Sequence, residues 1–439
     1  MKNLIFKIKN WAYFAGSLKF DGESENYLRL TEEARERITL TKLKKLFVHA
    51  KETVPFYTES FKDFDVNDIK NLRDWNKLPI VTREDILANV NAFKSKTVSE
   101  KRFMKVTTGG STGKPLTVYH DRKFPVDVVR WRVFRWWGIE PSSNAGFVYR
   151  KVRRGLKETL NSILWYPTRR VFLDASLMTS ESMYLFYKKL LEIKPHLLQG
   201  YVGGIYEFAK YCKDNQLKVE SLKAVWVTAA PLTPYQRSFI EETFNSPVYD
   251  QYGCSEIFWI ASECKLKKGL HVFSDIRHVE VLDENNDFIV NSDFGKLCIT
   301  DLENYAFPLI RYINGDRGRW LPDECSCGVK LPLIDNVKGR VSDLVRMPNG
   351  NSIAGEFLTT IFDEFPDAVK EFRIHQKTDY SIVLTCVLGS NSNATQICEA
   401  KVGELRTLTD NSINIELDIK EDIMHDNGKT RFIISDIKI

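Results

Sequence analysis

From Phe103 onward, strand-length runs of apolar and β-branched residues alternate with helix-length stretches, and no other feature limits the fold of this chain so strongly. RFMKVTT (102–108), PLTVYH (115–120), LKAVWVTAA (222–230), SPVYDQYG (246–253) and KLCITDL (296–302) are short and end in turn-prone or polar residues, so they read as buried strands of an α/β fold. Ahead of them, Leu28, Leu30, Ala34, Ile38, Leu43 and Phe47 recur at helical spacing over 27–55, a pattern that serves packing rather than chemistry. After Asp343 the character changes: EFRIHQ, YSIVLTCVL and INIELDI read as strands around a helical ICEAKVGELRTL, an α+β unit. The expected organisation is a large N-terminal domain over 1–342, with a helical region over about 1–100, and a small C-terminal domain over 343–439. Repeats and low-complexity tracts are absent from the sequence, which sets solenoid architectures aside.

A chain of 439 residues with 43% hydrophobic and 28% charged residues is a folded protein of two or three domains, neither disordered nor fibrous. Its net charge of +5 comes without any long Lys/Arg run, so nucleic acid is not expected as a partner. The eight cysteines are scattered and follow no secretory signal, which points to the cytoplasm. The opening MKNLIFKIKNWAYFAGSLKF is interrupted by Lys2, Lys7, Lys9 and Lys19, so it is neither a signal peptide nor a membrane span. Two readings remain: a helix packed on the main domain through Trp11, Tyr13 and Phe14, which is the plainer one, or an amphipathic helix lying on the inner face of a membrane.

The strongest local signal is TTGGSTGKP, Thr107 to Pro115, directly after a predicted strand. Gly109, Gly110 and Gly113 let backbone N–H groups approach a polyphosphate, Thr107, Thr108, Ser111 and Thr112 add hydroxyls, and Lys114 offsets charge. It is not a Walker A loop, because Thr108 replaces the first glycine and Pro115 the magnesium-binding hydroxyl. Further along, YDQYGCSE sets Tyr252, Gly253, Ser255 and Glu256 together, an aromatic beside glycine followed by a hydroxyl and a carboxylate, suited to stacking a base and holding a metal. ITDLENYAFPLIRYINGD ends in Asp316, whose carboxylate suits ribose hydroxyls, and DNVKGRVSDLV supplies Arg340, a planar fork for phosphate or ribose oxygens, and Asp343. Each has a plainer alternative: Glu256 as a surface carboxylate, Asp316 as a turn residue, Arg340 as half of an ion pair.

In this order the motifs resemble the adenylate-forming superfamily of acyl-CoA synthetases, luciferases and peptide-synthetase adenylation domains, in its phenylacetate-CoA ligase and CapK-type capsule-biosynthesis branch. The likeness runs from VPFY (54–57) and LPIVTREDI (78–86) nearly to the C-terminus. It implies that ATP is the nucleotide, with TTGGSTGKP around its β- and γ-phosphates, Tyr252 on adenine, Glu256 on magnesium, Asp316 on the ribose hydroxyls and Arg340 at the ribose and phosphate. It further implies a hinge at Asp343 and a catalytic lysine in the mobile small domain, for which Gly428 and Lys429 of HDNGKTRFIIS fit. The implied reaction joins a small-molecule carboxylic acid to AMP and passes the acyl group to a thiol, amine or hydroxyl; the thiol would be coenzyme A, the others would belong to polysaccharide assembly. A non-catalytic nucleotide-binding scaffold is the alternative of another class. VTAAPL (227–232) departs from the pattern, since relatives carry glycine or glutamate there; Ala229 and Ala230 still offer a backbone strip beside adenine.

Cys264, His271, Cys325 and Cys327 supply the four ligands of a structural zinc site, or else are a core cysteine and a cysteine-bearing loop; the spacing leaves both open. RWRVFRWW (130–137) and RKVRR (150–154) either face an anionic acid, a carrier or a lipid, or pair with nearby acids. Tyr201, Val202 and Gly203 either line the acid pocket or pack a strand against a helix.

Overall fold

The computed structural model describes the chain apart from residues 1, 14, 109–115, 151–155, 231, 233, 290–292, 323, 336, 338–344, 354–357, 359, 360, 363, 366, 422, 424–432, 438 and 439. Six helices precede the first strand: α1 (Lys2–Tyr13), α2 (Ala15–Leu28), α3 (Glu32–Thr53), α4 (Pro55–Ser60), α5 (Leu72–Trp75) and α6 (Arg83–Ala88). The helix expected over 27–55 is broken, because the Thr31 hydroxyl accepts from Ala34 N at 3.3 Å and caps α3, and Pro55 starts α4.

A hairpin follows, β1 (Phe103–Thr108) and β2 (Leu116–Asp121), then α7 (Val126–Trp136) and the alternating part: β3 (Ala145–Tyr149), α8 (Leu156–Trp165), β4 (Arg170–Asp174), α9 (Ser180–Ile193), β5 (Leu197–Tyr201), α10 (Val202–Asp214), β6 (Ala224–Thr228), α11 (Pro234–Phe244) and β7 (Val248–Tyr252). Further strands complete the large domain: β8 (Ala261–Glu263), β9 (Leu270–Val272), β10 (Arg277–Leu282), β11 (Gly295–Asp301), β12 (Tyr312–Gly318), β13 (Trp320–Leu321) and β14 (Leu333–Ile334). Nine strands form one sheet in the order β13-β14-β9-β8-β7-β6-β5-β3-β4, parallel from β7 to β4 and antiparallel beyond; β10, β11 and β12 form a second sheet. Crossover helices require parallel strands, which explains the apolar, nearly fully buried runs of β5, β6 and β7.

The helical region is not an appendage. Phe47, Tyr57, Phe61, Trp75 and Phe93 share one core with Ile299, Phe307, Ile310 and Tyr312. Within it Tyr57 OH donates to Pro308 O at 3.1 Å and accepts from Ile310 N at 3.0 Å, fixing the segment that enters β12. The α1 helix packs through Phe6 on Trp131, with ring centroids 5.3 Å apart, but Trp11 is 70% exposed, so the expectation that Trp11 fills a core is wrong; the side chains of Tyr13 and Phe14 lie outside the described residues.

The remaining elements are β15 (Val345–Arg346), β16 (Ser352–Ile353), β17 (Val369–Gln376), β18 (Ile382–Leu388), α12 (Ala394–Leu408), β19 (Ile415–Lys420) and β20 (Ile433–Ser435). A four-stranded sheet, β19-β18-β17-β20, carries α12, and its core draws on residues from Val345 to Ile433. Arg346 Nη1 lies 3.6 Å from the buried Glu207 of α10, an ion pair between this small domain and the large one.

Candidate active site

Strands β1 and β2 pair with Thr107 opposite Thr117 and Thr108 opposite Leu116, so both deliver their ends to the 109–115 connection. Thr107 is half-buried at its base, whereas Gly109, Gly110, Ser111, Thr112, Gly113 and Lys114 lie outside the described residues. The hairpin is tied to the next motif by His120, whose Nε2 donates to Ser255 O at 2.7 Å while its ring stacks on Phe258. Burial pushes the His120 imidazole below its usual range, so the neutral ring is the form held there.

Beyond Tyr252 the chain turns sharply. A Cβ at Gly253 would come within 3.0 Å of Trp259 N and 2.9 Å of Gln251 Nε2, so any side chain there must push the turn or the Gln251 amide aside. Cys254 N donates to Ile257 O at 3.0 Å and closes the turn, which aims Glu256 inward: it is 8% exposed, with Arg83 Nη1 3.5 Å and Tyr312 OH 3.3 Å from Oε1. The surface-carboxylate reading of Glu256 is therefore excluded. Arg83 reaches it because Thr82 and Asp85 form a capping box that starts α6, and because Val81 is stitched to β12 by Val81 N to Arg311 O and Ile313 N to Val81 O, each 2.9 Å.

Two residues further along β12, Asn314 Nδ2 donates to Tyr252 OH at 2.7 Å and to Asp316 Oδ2 at 2.8 Å, and Tyr252 OH donates to the same Oδ2 at 2.8 Å. Gly315, at φ +87°, makes the bulge that lets Asn314 and Asp316 share this cluster; a side chain there would be strained. Burial, then the Asp316 charge, hold the Tyr252 phenol far above its usual range, and burial, then Glu256, do the same for Tyr312. The result is two carboxylates, each facing a phenol fixed as a proton donor. Carboxylate oxygens oriented in this way suit sugar hydroxyls and a hard cation.

On the neighbouring strand end, Thr228 Oγ1 donates to Gln251 O at 3.0 Å, and the next residue, Ala229, takes φ +74°. That left-handed conformation is the physical reason a glycine suits this position, and the chain places alanine in it at a cost of about 1–2 kcal/mol. Ala230 is partly buried against the core beneath the parallel sheet.

A model of the CapK C-terminal domain matches residues 345–436. The protein CapK of Staphylococcus aureus is 24% identical over 412 residues, covering 90% of this chain and 88% of its own, and the phenylacetate-coenzyme A ligase of Aromatoleum evansii is 24% identical over 336 residues, 74% of each. Among solved structures, 2-hydroxyisobutyryl-CoA ligase in complex with 2-HIB-AMP and CoA superposes with a TM-score of 0.66 at 19% identity, covering 94% of this chain and 92% of that one. The chain is thus similar in sequence to CapK and to the phenylacetate-coenzyme A ligases over most of its length, and it shares its fold with 2-hydroxyisobutyryl-CoA ligase.

Of the residues expected to face nucleotide, the structure brings Thr107, Tyr252, Gly253, Ser255, Glu256 and Asp316 into one linked set through the β1–β2 hairpin, the 253–257 turn and β12. Arg340, Asp343 and Lys429 fall outside the described residues. Cys264, His271, Cys325 and Cys327 converge elsewhere, at the antiparallel end of the nine-stranded sheet. Sequence reasoning missed Arg83, His120, Tyr312 and Asn314. A signal existed for two of them: the Thr-x-x-Asp capping box of TRED placed Arg83 at a helix start, and the Asn-Gly-Asp of β12 marked a bulge. Val202 and Gly203 are buried in the first turn of α10, the packing alternative. The basic stretch is likewise paired: Arg132 bridges Asp275 at 2.5 Å, Arg135 meets Asp21 and Glu25 at 2.7 Å, and Arg130 meets Asp127 at 3.3 Å.

Proposed function

We propose that the chain activates a carboxylic acid with ATP and magnesium and transfers the acyl group to an acceptor of surface-polysaccharide assembly. The acid's carboxylate attacks the α-phosphorus, the bond to the bridging oxygen of pyrophosphate breaks, and an acyl-adenylate forms; the acceptor then displaces AMP. The observation that carries this reading is the Tyr252–Asn314–Asp316 cluster on the same strand as the partner of Glu256. In it Asp316 takes the ribose hydroxyls, the face of Tyr252 and the Ala229–Ala230 backbone take the base, and Gly253 and Ser255 shape the turn beneath. The loop from Thr107 to Lys114 takes the β- and γ-phosphates, and Arg340 the ribose and phosphate region. Glu256 fits one magnesium contact, because a carboxylate that accepts from Arg83 and Tyr312 on Oε1 retains acceptor positions; magnesium would neutralise phosphate charge. Lys429, carried by the small domain turning at Asp343, steadies the charge that grows on the phosphoryl oxygens.

A membrane-side acceptor is favoured by the surface. Leu4, Ile8 and Trp11 form one exposed stripe on α1, and Leu160, Ile163 and Leu164 another on α8. Lys9 Nζ, donating to Tyr166 O at 2.9 Å, holds the two side by side, with Lys7 exposed on α1 and Arg169, paired with Glu192, exposed after α8. An apolar face edged by cations complements an anionic bilayer surface. Among the described residues no helix is long and apolar enough to cross a membrane, so the contact would be peripheral. Coenzyme A is the second reading for the acceptor, favoured by the names of the phenylacetate-coenzyme A ligase relatives.

Product mass separates the two. With the activated acid in hand, an amide or ester on a sugar acceptor supports the proposal, whereas a coenzyme A thioester alone overturns its polysaccharide part. Flotation with phosphatidylglycerol vesicles tests the surface: Trp11→Glu with Ile163→Glu should abolish binding that wild type shows, and no wild-type binding would remove the membrane from the account.

A further inference from the structure

The four soft ligands at the antiparallel end of the large sheet are not used by the chemistry above. Cys264 follows β8, His271 lies on β9, and Cys325 and Cys327 come from the loop before β14. All four ligand atoms lie within 4.8 Å of one another. Cys264 Sγ is 3.7 Å from Cys325 Sγ, and Cys327 Sγ is 3.3 Å from His271 Nε2. A zinc ion with bonds of about 2.3 Å to sulfur and about 2.0 Å to nitrogen sets tetrahedral edges of roughly 3.8 Å between sulfurs and roughly 3.5 Å from sulfur to nitrogen. The Cys264–Cys325 and Cys327–His271 separations come close to those edges, and the sulfur–sulfur distance is too long for a disulfide. A thiol–imidazole hydrogen bond would account for one pair but not for the gathering of all four.

The surroundings orient the ligands as a metal requires. His271 Nδ1 faces Leu331 O at 3.1 Å, so Nδ1 carries the proton and the Nε2 lone pair points at the cysteines. Cys264, His271 and Cys325 are buried and Cys327 half-buried, among Leu321, Leu333 and Trp136. We propose that Cys264, His271, Cys325 and Cys327 bind a structural zinc ion. Three thiolates and one imidazole favour zinc over magnesium, and a closed set of four leaves no position for a substrate. On binding, three Zn–S bonds and one Zn–N bond form, and the three thiol protons pass to water. The ion would fasten the 325–331 loop to β8 and β9. Because Ala261 of β8 pairs with Tyr252 and Ser262 with Gln251, it braces the strand that carries Tyr252 without touching the reacting atoms.

Metal content of the full chain, purified without added metal or chelator, tests this together with X-ray absorption at the zinc edge. About one zinc per chain in a three-sulfur, one-nitrogen shell is expected, falling at least tenfold in Cys325→Ser with Cys327→Ser. Should that variant fail to fold, wild type stripped of zinc and titrated with cobalt supplies the second measurement, and tetrahedral cobalt–thiolate absorption is expected. Folded wild type with less than about a tenth of a zinc per chain and no such cobalt spectrum overturns the proposal, as does zinc retained by the folded double variant or held only by oxygen and nitrogen.

Discussion

Replacing Tyr252 with phenylalanine keeps the ring and removes only the hydroxyl that joins β7 to β12. That hydroxyl donates to Asp316 Oδ2 at 2.8 Å and accepts from Asn314 Nδ2 at 2.7 Å. A hydrogen bond to an ionised carboxylate contributes roughly 1.5–3 kcal/mol. Because Asn314 Nδ2 still reaches Asp316 at 2.8 Å, the loss should fall in the lower part of that range, about 2 kcal/mol, or roughly 30-fold in ATP affinity. Stacking of the base on the ring is untouched, so the effect belongs to the placement of Asp316. The assay is acid-dependent pyrophosphate release as a function of ATP concentration, with thermal melting to confirm folding. Adding Asn314→Ala should cost less than the two single changes summed, since both act on one carboxylate. A KM for ATP within about twofold of wild type would refute the idea that Tyr252 positions a ribose-binding Asp316.

Ala229→Gly should stabilise the chain by about 0.5 kcal/mol in urea denaturation, the release of roughly 1–2 kcal/mol of left-handed strain less the backbone entropy of glycine, with activity retained; a loss of stability would contradict the strain reading. Gly253→Ala should lower adenylation at least tenfold, because the added Cβ meets the backbone of Trp259 at 3.0 Å and must displace the turn that carries Glu256; unchanged turnover would show that the turn adapts. Burial, then the Arg311 guanidinium, push the His278 imidazole from 6.5 down to about 4. The unfolded chain therefore takes up this proton first, and the stability gained from a neutral His278 is complete above about pH 6.5 and falls as pH drops towards 4, by about 2 kcal/mol at pH 5. Asp250, pushed up to about 7 by burial and Glu263, acts in the opposite sense, so the readout is wild type minus His278→Gln between pH 7 and 5; a pH-independent difference would refute the assignment.

Much of the fold could be read from the sequence because parallel strands bury both faces. LKAVWVTAA and SPVYDQYG contain β6 and β7, and the strand–helix–strand pattern after Asp343 reappears as β17, β18, α12 and β19. Helix boundaries were less legible, since Thr31 interrupts the 27–55 pattern by a local cap that periodicity does not register. In the site, the residues expected to face nucleotide carry chemistry visible in their types, whereas their supports do not. Tyr312 reads as one more core aromatic, and Arg83 as one surface arginine, until β12 brings both to Glu256. Ala229 read as a departure from the family pattern that kept its backbone contacts; its φ of +74° adds that the position takes a left-handed backbone, which the residue type alone conceals. The three arginines and four rings of RWRVFRWW left a ligand surface open beside ion pairing, because the partners of Arg132 and Arg135, namely Asp275, Asp21 and Glu25, lie far away in sequence.

The most direct test of adenylation is pyrophosphate release from the purified full chain with ATP and magnesium, across aryl, fatty, amino and uronic acids, with hydroxylamine to trap the adenylate. The account predicts release with one acid class, accompanied by its hydroxamate and abolished in Asp316→Ala and Lys429→Ala. Silence with every acid, or release that persists in both variants, would contradict it.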